Sequence, residues 1–405
     1  MTVVERILER LETPVKGEYD VIVVGGGPAG CAAAISAARA GASALLIERF
    51  NCLGGMWTSG FVNPLFDQEN KTGLMREIVD ELKARGQWGG FRNISFHYEH
   101  MKSILEHKCR QAGVTLLFDT RFARAVMEGQ RVSGVICENI GGRCAYRAKM
   151  VIDCTGDANV AADAGVKFQM GREEDGMCQA MTLMFLVGNI PARYLDGNGL
   201  NLYEKLDRVY QKLGKPIPFR APVMIPVPHS SFGVVQFTHM YGYNALRAEE
   251  VTAAVIEGRD QMLEAMEGLR RWDEEFKELE IIASAPLLGV RESRRIEGEY
   301  TLTLEDVMQG ARFEDAVTSV TFNIDIHHPG DSAQSCIDVA EYQIPFRCLV
   351  PKGADGLLVA GRCISGTHEA MASYRVTGNC CPMGEAAGRA AADFAVRGVP
   401  YRKDA

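Results

Sequence analysis

The chain has 405 residues, 47% of them apolar and 24% charged, which at about 150 residues per domain allows two or three compact units with ample core. That balance excludes a disulfide-stapled miniprotein and a disordered chain. Lys and Arg number 44 against 52 Asp and Glu, a net charge of −8, and this disfavours a nucleic-acid-coating surface, because polyphosphate binding rests on clustered cations.

Residues 1–10 mix charges into a short amphipathic pattern and lack the apolar run and small-residue cleavage site of a signal peptide. No stretch approaches the roughly 20 uninterrupted apolar residues of a membrane span. A soluble, cytoplasmic protein is therefore expected. Twelve cysteines are scattered without a C-x-x-C pair, so neither a disulfide framework nor a metal cluster is predicted, and buried free thiols are expected.

Residues 19–24, Tyr-Asp-Val-Ile-Val-Val, form a short β-branched run that leads directly into Gly-Gly-Gly-Pro-Ala-Gly at 25–30 and then a small-residue helical stretch ending near Gly41. The pattern is strand, glycine turn, helix. Gly25 permits the tight turn, Gly27 lets backbone N–H groups approach a pyrophosphate, and Gly30 allows close helix–sheet packing. Pro28 suits the first helical turn, with Ala29 beside it. The helix start then offers unpaired N–H groups and a positive dipole end to a diphosphate. A second apolar run at 44–47 reaches Glu48, 18 residues after Gly30, where a carboxylate at a strand end accepts ribose hydroxyls. These features together predict an adenine dinucleotide site. A second glycine pair in Asn-Cys-Leu-Gly-Gly-Met-Trp-Thr-Ser-Gly at 51–60 favours FAD over NAD, since flavoproteins use a loop here to cover the pyrophosphate.

The sequence at this point resembles the FAD-dependent oxidoreductase family of the glutathione-reductase-like flavoprotein superfamily, and is distantly similar to fumarate reductase and succinate dehydrogenase flavoprotein chains. The resemblance spans nearly the whole chain. It rests on the glycine turn, Leu-Gly-Gly-Met at 53–56, Ile-Asp-Cys-Thr-Gly-Asp at 152–157, Gly-Arg-Glu-Glu-Asp-Gly at 171–176, Gly-Val-Arg-Glu-Ser-Arg-Arg-Ile at 289–296, Asp-Ile-His at 325–327 and the stretch 357–370. It implies an α/β fold: a discontinuous Rossmann-like FAD-binding domain, 1–175 and 330–405, with an α+β substrate cap domain at 176–329. Non-covalent FAD is the implied cofactor. Arg49, Gly55 and Met56 join the glycine turn and Glu48 around it, and Phe122 sits where the superfamily presents backbone to the adenine.

Further along, residues 121–127, 132–138 and 143–149 alternate like a small β-meander, and 150–154 reads as a separate buried strand running into Thr155-Gly156-Asp157. Asp157 is either a turn-capping carboxylate or a cofactor ligand. In the middle of the chain, Val251, Val255, Met262, Met266, Leu269 and Phe276 form one apolar face of a long helix over 248–276. No second strand–GxGxxG–helix unit occurs, so the electron donor or acceptor stays open. Near the end, a strand at 357–359 leads to Gly361 and Arg362, and 382–392 reads as the last helix. The resemblance turns the start of that helix toward the flavin, with Met383 and Gly384 as backbone N–H donors.

Flavin dehydrogenation requires a base and cations that hold the substrate. His97, His100 and His107 read as solvated or packing residues of one helix. His327, at a strand end, and His368, in a glycine-bounded loop, are the candidate bases. Arg291, Arg294 and Arg295 suit either anion recognition or a salt-bridge network, with Arg291 and Ser293 on one strand face and Glu292 and Arg294 on the other. Arg375 is a further substrate anchor. Cys52 lacks a redox partner nearby, whereas Cys380 and Cys381 at a helix start are candidates for depressed thiol pKa values.

The expected function is hydride transfer between a small polar or carboxylated substrate and flavin N5. The alternatives are an electron-relay subunit of a multiprotein redox complex, a flavin monooxygenase, and, against the acidic balance, a flavin-dependent RNA methyl transferase. A homo-oligomer is left open.

Overall fold

A computed structural model describes residues 7–195 and 199–401, so most of the 1–10 segment lies outside the described residues. In chain order the strands that build the largest sheet are β1 (Val15–Val24), β2 (Ala44–Ile47), β3 (Thr115–Leu117), β4 (Arg121–Glu128), β5 (Arg131–Asn139) and β6 (Gly142–Asp153). They form a seven-stranded sheet in the order β3-β2-β1-β6-β5-β4, with Leu357–Val359 also paired to β6. Val21, Ile22 and Val23 of β1 are fully buried, as a parallel strand covered on both faces must be. Each such side chain contributes about 1.5–3 kcal/mol on burial.

The expected meander and the strand at 150–154 are one element. Residues 142–147 of β6 pair antiparallel with β5, residues 151–153 pair parallel with 357–359, and β1 runs along its other edge. Because Val24 registers with both Ile47 and Asp153, and Asp153 with Val359, the parallel strands end on one line. A ligand site at that carboxyl edge is where an open α/β sheet places one.

Helix α1 (Pro28–Arg39) begins with Pro28 in its first turn and packs along the last long helix. The cap sheet comprises β7 (Phe185–Gly188), β8 (Leu200–Asn201), β9 (Val223–Pro226), β10 (Gly233–Gln236) and β11 (Glu280–Ser284), in the order β8-β9-β10-β7-β11. Helix α2 (Ala248–Trp272) covers it with Met262, Ala265, Met266 and Leu269, and Phe276 follows in a separate 3-10 turn. The chain leaves for this sheet and returns from it side by side: Thr182 N–H donates to Gly289 O at 3.0 Å, and Gly289 N–H to Thr182 O at 2.8 Å. The expected cap ran to residue 329, but Ile296, Leu302, Val307, Val320 and Ile324 pack into the larger core instead.

Two helices close the chain, α3 (His368–Tyr374) and α4 (Thr377–Arg397). The last helix therefore starts five residues before Pro382, which lies inside it. Met383 and Gly384 consequently do not head the helix, a correction to the expected donor role. They are buried where α4 crosses α1, and a Cβ on Gly384 would stand 2.0 Å from Ala29 O. Among the described residues, no helix is long and apolar enough to cross a membrane.

Candidate active site

One cavity of about 1130 Å³ opens at the carboxyl edge of the large sheet and extends under the cap. At its sheet end the glycine turn is built by close approach. Gly25 has φ +101°, and a Cβ on Gly30 would lie 1.7 Å from Gly25 O, so neither position tolerates a side chain. Gly27, the N-cap of α1, has open space where its Cβ would be and no side-chain cap, which leaves the first N–H groups of α1 facing the cavity. The loop at 51–60 lies on this turn, with Gly54 N–H donating to Gly26 O at 2.8 Å. Gly55 brings its Cα region against Gly27 and lines the cavity with Pro28, Ala29 and Met56.

Glu48 follows β2 and is held by two backbone donors, Gly26 N–H at 2.6 Å and Phe50 N–H at 2.9 Å. Burial raises its pKa against those bonds. Arg49 and Phe122 line the cavity beside it. Across the sheet edge, Asp153 is the turn-capping carboxylate that sequence reasoning missed. It accepts from Thr155 N–H at 3.0 Å, Thr155 Oγ1 at 2.7 Å, Val160 N–H at 2.8 Å and Ala161 N–H at 3.0 Å. Asp157 instead accepts from Ser293 Oγ and Arg362 Nη2, each at 2.7 Å. Burial opposes its charge, but Arg362 and Ser293 outweigh that and hold its carboxyl below the ordinary range. Thr155, Gly156, Gly361 and Arg362 complete this part of the wall.

Under the cap, the residues expected to face opposite ways along 291–294 are not in a strand. Arg291 and Arg294 both line the cavity, while Glu292 turns into the interior. Arg294 Nη1 donates to Asp157 O at 2.9 Å, and Arg295 pairs with Glu292, so these two arginines serve the network. His368 belongs to it as well. It is buried, its Nδ1 lies 2.9 Å from Glu292 Oε2, and it does not line the cavity, which removes it as a base. The thiols at 380–381 are also corrected: with α4 starting at Thr377 both are buried, which pushes Cys380 up to about 12 and Cys381 well above its ordinary range. Cys52 is buried 3.4 Å from Ser59 Oγ.

The remaining polar groups converge opposite the glycine turn. Arg291 Nη1 donates to Ala180 O and Thr182 Oγ1, both at 2.7 Å. Arg375 Nη2 donates to Asp325 O at 2.8 Å, and its Nη1 is buried without a hydrogen-bond partner. Asp325 Oδ2 lies 3.3 Å from His327 Nε2, and His327 Nδ1 lies 2.8 Å from His239 Nε2. Burial and then Arg291 lower the His327 pKa to about 3, against the pull of Asp325, so its ring is neutral at pH 7. Asp325 stays ionised: burial raises its pKa, and His327 and Arg375 more than reverse that. Asp325 and His327, two apart on the strand Ile324–His327, share one face, a signal readable in the sequence. His239 carried no such signal.

The comparison with protein families gives the chain a family, since the model described as FAD dependent oxidoreductase matches residues 20–403. The chain belongs to the FAD dependent oxidoreductase family. This oxidoreductase is 32% identical over 202 residues to a thiamine thiazole synthase from Aeropyrum pernix, covering 45% of this chain and 68% of that one. It is 28% identical over 225 residues to a digeranylgeranylglycerophospholipid reductase from Methanocella arvoryzae, covering 48% of this chain and 55% of that one. The chain thus spans about two thirds and about half of these curated relatives. Among solved structures, p-nitrophenol 4-monooxygenase from Pseudomonas putida superposes with a TM-score of 0.52 at 11% identity, covering 95% of this chain and 82% of that one, which is a likeness of fold. The oxidoreductase is an enzyme, and its cofactor is FAD. The residues present fit that group: a glycine turn built by close approach at Gly25 and Gly30 and open at Gly27, an uncapped helix start and a carboxylate at the second strand end all border one cavity.

Proposed function

We propose that this oxidoreductase moves a hydride between FAD and a small substrate that carries a carboxylate, in the part of the cavity under the 183–288 cap. The observation that carries the reading is Arg375 Nη1, buried in the wall beside Arg291 with no protein partner. A buried guanidinium N–H left unpaired costs about 1–3 kcal/mol or more, and a carboxylate supplies the missing acceptor. When bound, FAD supplies a two-electron store that takes a hydride from the substrate or returns one.

The chain's own groups do the rest. The uncapped start of α1 and Glu48 hold the dinucleotide, with Asp157 and Arg362 fixing the opposite wall. Arg375 and Arg291 orient the carboxylate, whose charge they balance. Met184, Leu288 and Phe322 line the same space and exclude water. His327, neutral and beside the two arginines, takes or gives the accompanying proton. The twelve free cysteines support a reducing, cytoplasmic setting.

Anaerobic bleaching of the FAD absorbance tests this with 2-hydroxy acids and amino acids set against their methyl esters, sugars and simple amines. Carboxylated compounds are expected to bleach and their esters to fail. Equal bleaching by esters removes the anion site. Turnover by the isolated chain excludes the electron-relay alternative, and oxygen from labelled dioxygen found in the product would establish the monooxygenase instead. Mixing substrate-reduced enzyme with oxygen, a quinone or NAD(P) identifies the electron partner by the return of colour.

A further inference from the structure

Three hydrogen-bonding gaps lie in a row between the cavity and the cap interior. Asp325 Oδ2 and His327 Nε2 are 3.3 Å apart, His327 Nδ1 and His239 Nε2 are 2.8 Å apart, and His239 Nδ1 and Phe237 O are 3.3 Å apart. The two ends of this row, a carboxylate and a carbonyl, are acceptors only. Filling three gaps requires three ring protons, and two neutral imidazoles bring two. A bare central gap would set two ring lone pairs against each other at 2.8 Å, so the neutral pair has two arrangements. In one, both Nδ1 atoms carry protons and His327 Nε2 offers a lone pair at the cavity wall. In the other, both Nε2 atoms carry protons and His239 Nδ1 is bare. The short central gap is filled in both.

We propose that His327 and His239 act as one proton-holding unit, in which His327 Nε2 takes the proton a substrate hydroxyl or amine loses and His239 shares the resulting charge. His239 is thus a positioning residue that acts through His327. This rests on the substrate reading above. In the oxidising direction the substrate O–H or N–H bond breaks and its electron pair becomes the second bond of C=O or C=N. The proton forms the N–H bond at His327 Nε2, now donated to Asp325, while the two electrons of oxidation leave with the hydride that FAD accepts. All three gaps are then filled, and one positive charge over two rings faces one carboxylate. The reverse direction spends the same proton.

The surroundings hold the unit in place. His239 is 1% exposed and stacks on Phe219 with ring centroids 3.8 Å apart. Its backbone N–H donates to Gln261 Oε1 at 2.9 Å, and His327 N–H to Gln179 Oε1 at 3.1 Å. The charged and titratable groups facing the pair are Asp325 on the same strand, Arg375 at the end of α3, Arg291 from the 289–294 segment, and Tyr241 beside His239. Burial and then Arg291 keep both rings uncharged at rest, and Asp325 supplies the counter-pull.

Nitrogen-15 NMR of histidine-labelled, FAD-loaded full chain tests the unit without any substrate. Between pH 5 and 8 both rings are expected to stay neutral with matched tautomers: the fraction protonated at His327 Nδ1 equals that at His239 Nδ1, and a through-bond coupling links His327 Nδ1 to His239 Nε2. In Asp325→Asn the side-chain amide donates to His327 Nε2, so both rings shift together to the Nδ1-protonated form. His239→Gln, which keeps a hydrogen bond but carries no charge, is expected to retain FAD and slow bleaching by a carboxylated compound at least tenfold. If that variant does not fold, His327→Gln with His239 as the observed ring replaces it, and the His239 tautomer is expected to change. Unmatched tautomers, a shift confined to His327 in Asp325→Asn, or a His239 ring that charges alone near pH 6.5 overturns the proposal. Matched rings with no bleaching by carboxylated compounds sink the substrate reading alone.

Discussion

Replacing His327 by Gln removes one group whose proton affinity folding suppresses. In the unfolded chain its pKa is 6.5, and in the fold burial and Arg291 lower it to about 3. The depressed folded value fixes the sign: between these values the unfolded chain binds more protons, so the stability contributed by the neutral ring is full above pH 6.5 and is lost as pH falls toward the folded value. Each pH unit in that window removes about 1.4 kcal/mol per proton, so a drop from pH 6.5 to 5 removes about 2 kcal/mol. Urea unfolding of wild type and His327→Gln at fixed FAD concentration, stepped from pH 7 to 5, measures it. The variant is expected to lose stability less steeply, by about one proton's worth of slope. Parallel slopes in the two proteins would refute the reasoning, because the ring would then titrate alike folded and unfolded.

Asp153→Asn keeps the shape of the buried cap but turns an amide toward the N–H groups of Val160 and Ala161. Two bonds to a charged acceptor are lost, about 3–6 kcal/mol in sum, and denaturant titration should show a large loss with weakened FAD retention. Gly384→Ala forces a methyl against Ala29 O and is expected to destabilise by about 1–3 kcal/mol or more, while the volume-conserving Met383→Leu stays within about 1.5 kcal/mol and keeps its colour. Thermal melts separate the two. Arg375→Gln removes the unpaired charged donor, and a bleaching titration should show the apparent KM for a carboxylated compound rising at least tenfold, with FAD content unchanged.

What could be read along the chain was what neighbours in sequence determine. Gly30 is forced by Gly25 O, five residues earlier, Gly25 by its own positive φ, and Glu48 follows its strand directly, so this end of the cavity was legible, although the approach of Cys154 to Gly25 was not. Helix α4 was misplaced because Pro382 looks like a first-turn residue. Pro382 removes only the bond to residue 378, and the helix is held through it by Gly384 and Gly388, whose close contacts are with Ala29 and Ala33 of α1, more than 350 residues earlier. The strand β6 was split because its partner changes from β5 to 357–359 midway, which no local pattern records. His368 was preferred for its glycine neighbours, but Glu292 claims it from 76 residues away. His239 meets His327 only after the cap returns to the sheet, across 88 residues.

The paired backbone bonds between Thr182 and Gly289 have an engineering meaning. A segment whose two stems already touch can be cut out or exchanged as a cassette, since a short turn would span the gap without pulling on the nucleotide-gripping sheet. The cassette carries His239, while Arg291, Asp325, His327 and Arg375 stay with the chassis. Swapping it would therefore change the roof over the cavity and the ring that meets His327, and leave the two cavity-lining arginines behind as a fixed grammar for whatever new roof arrives.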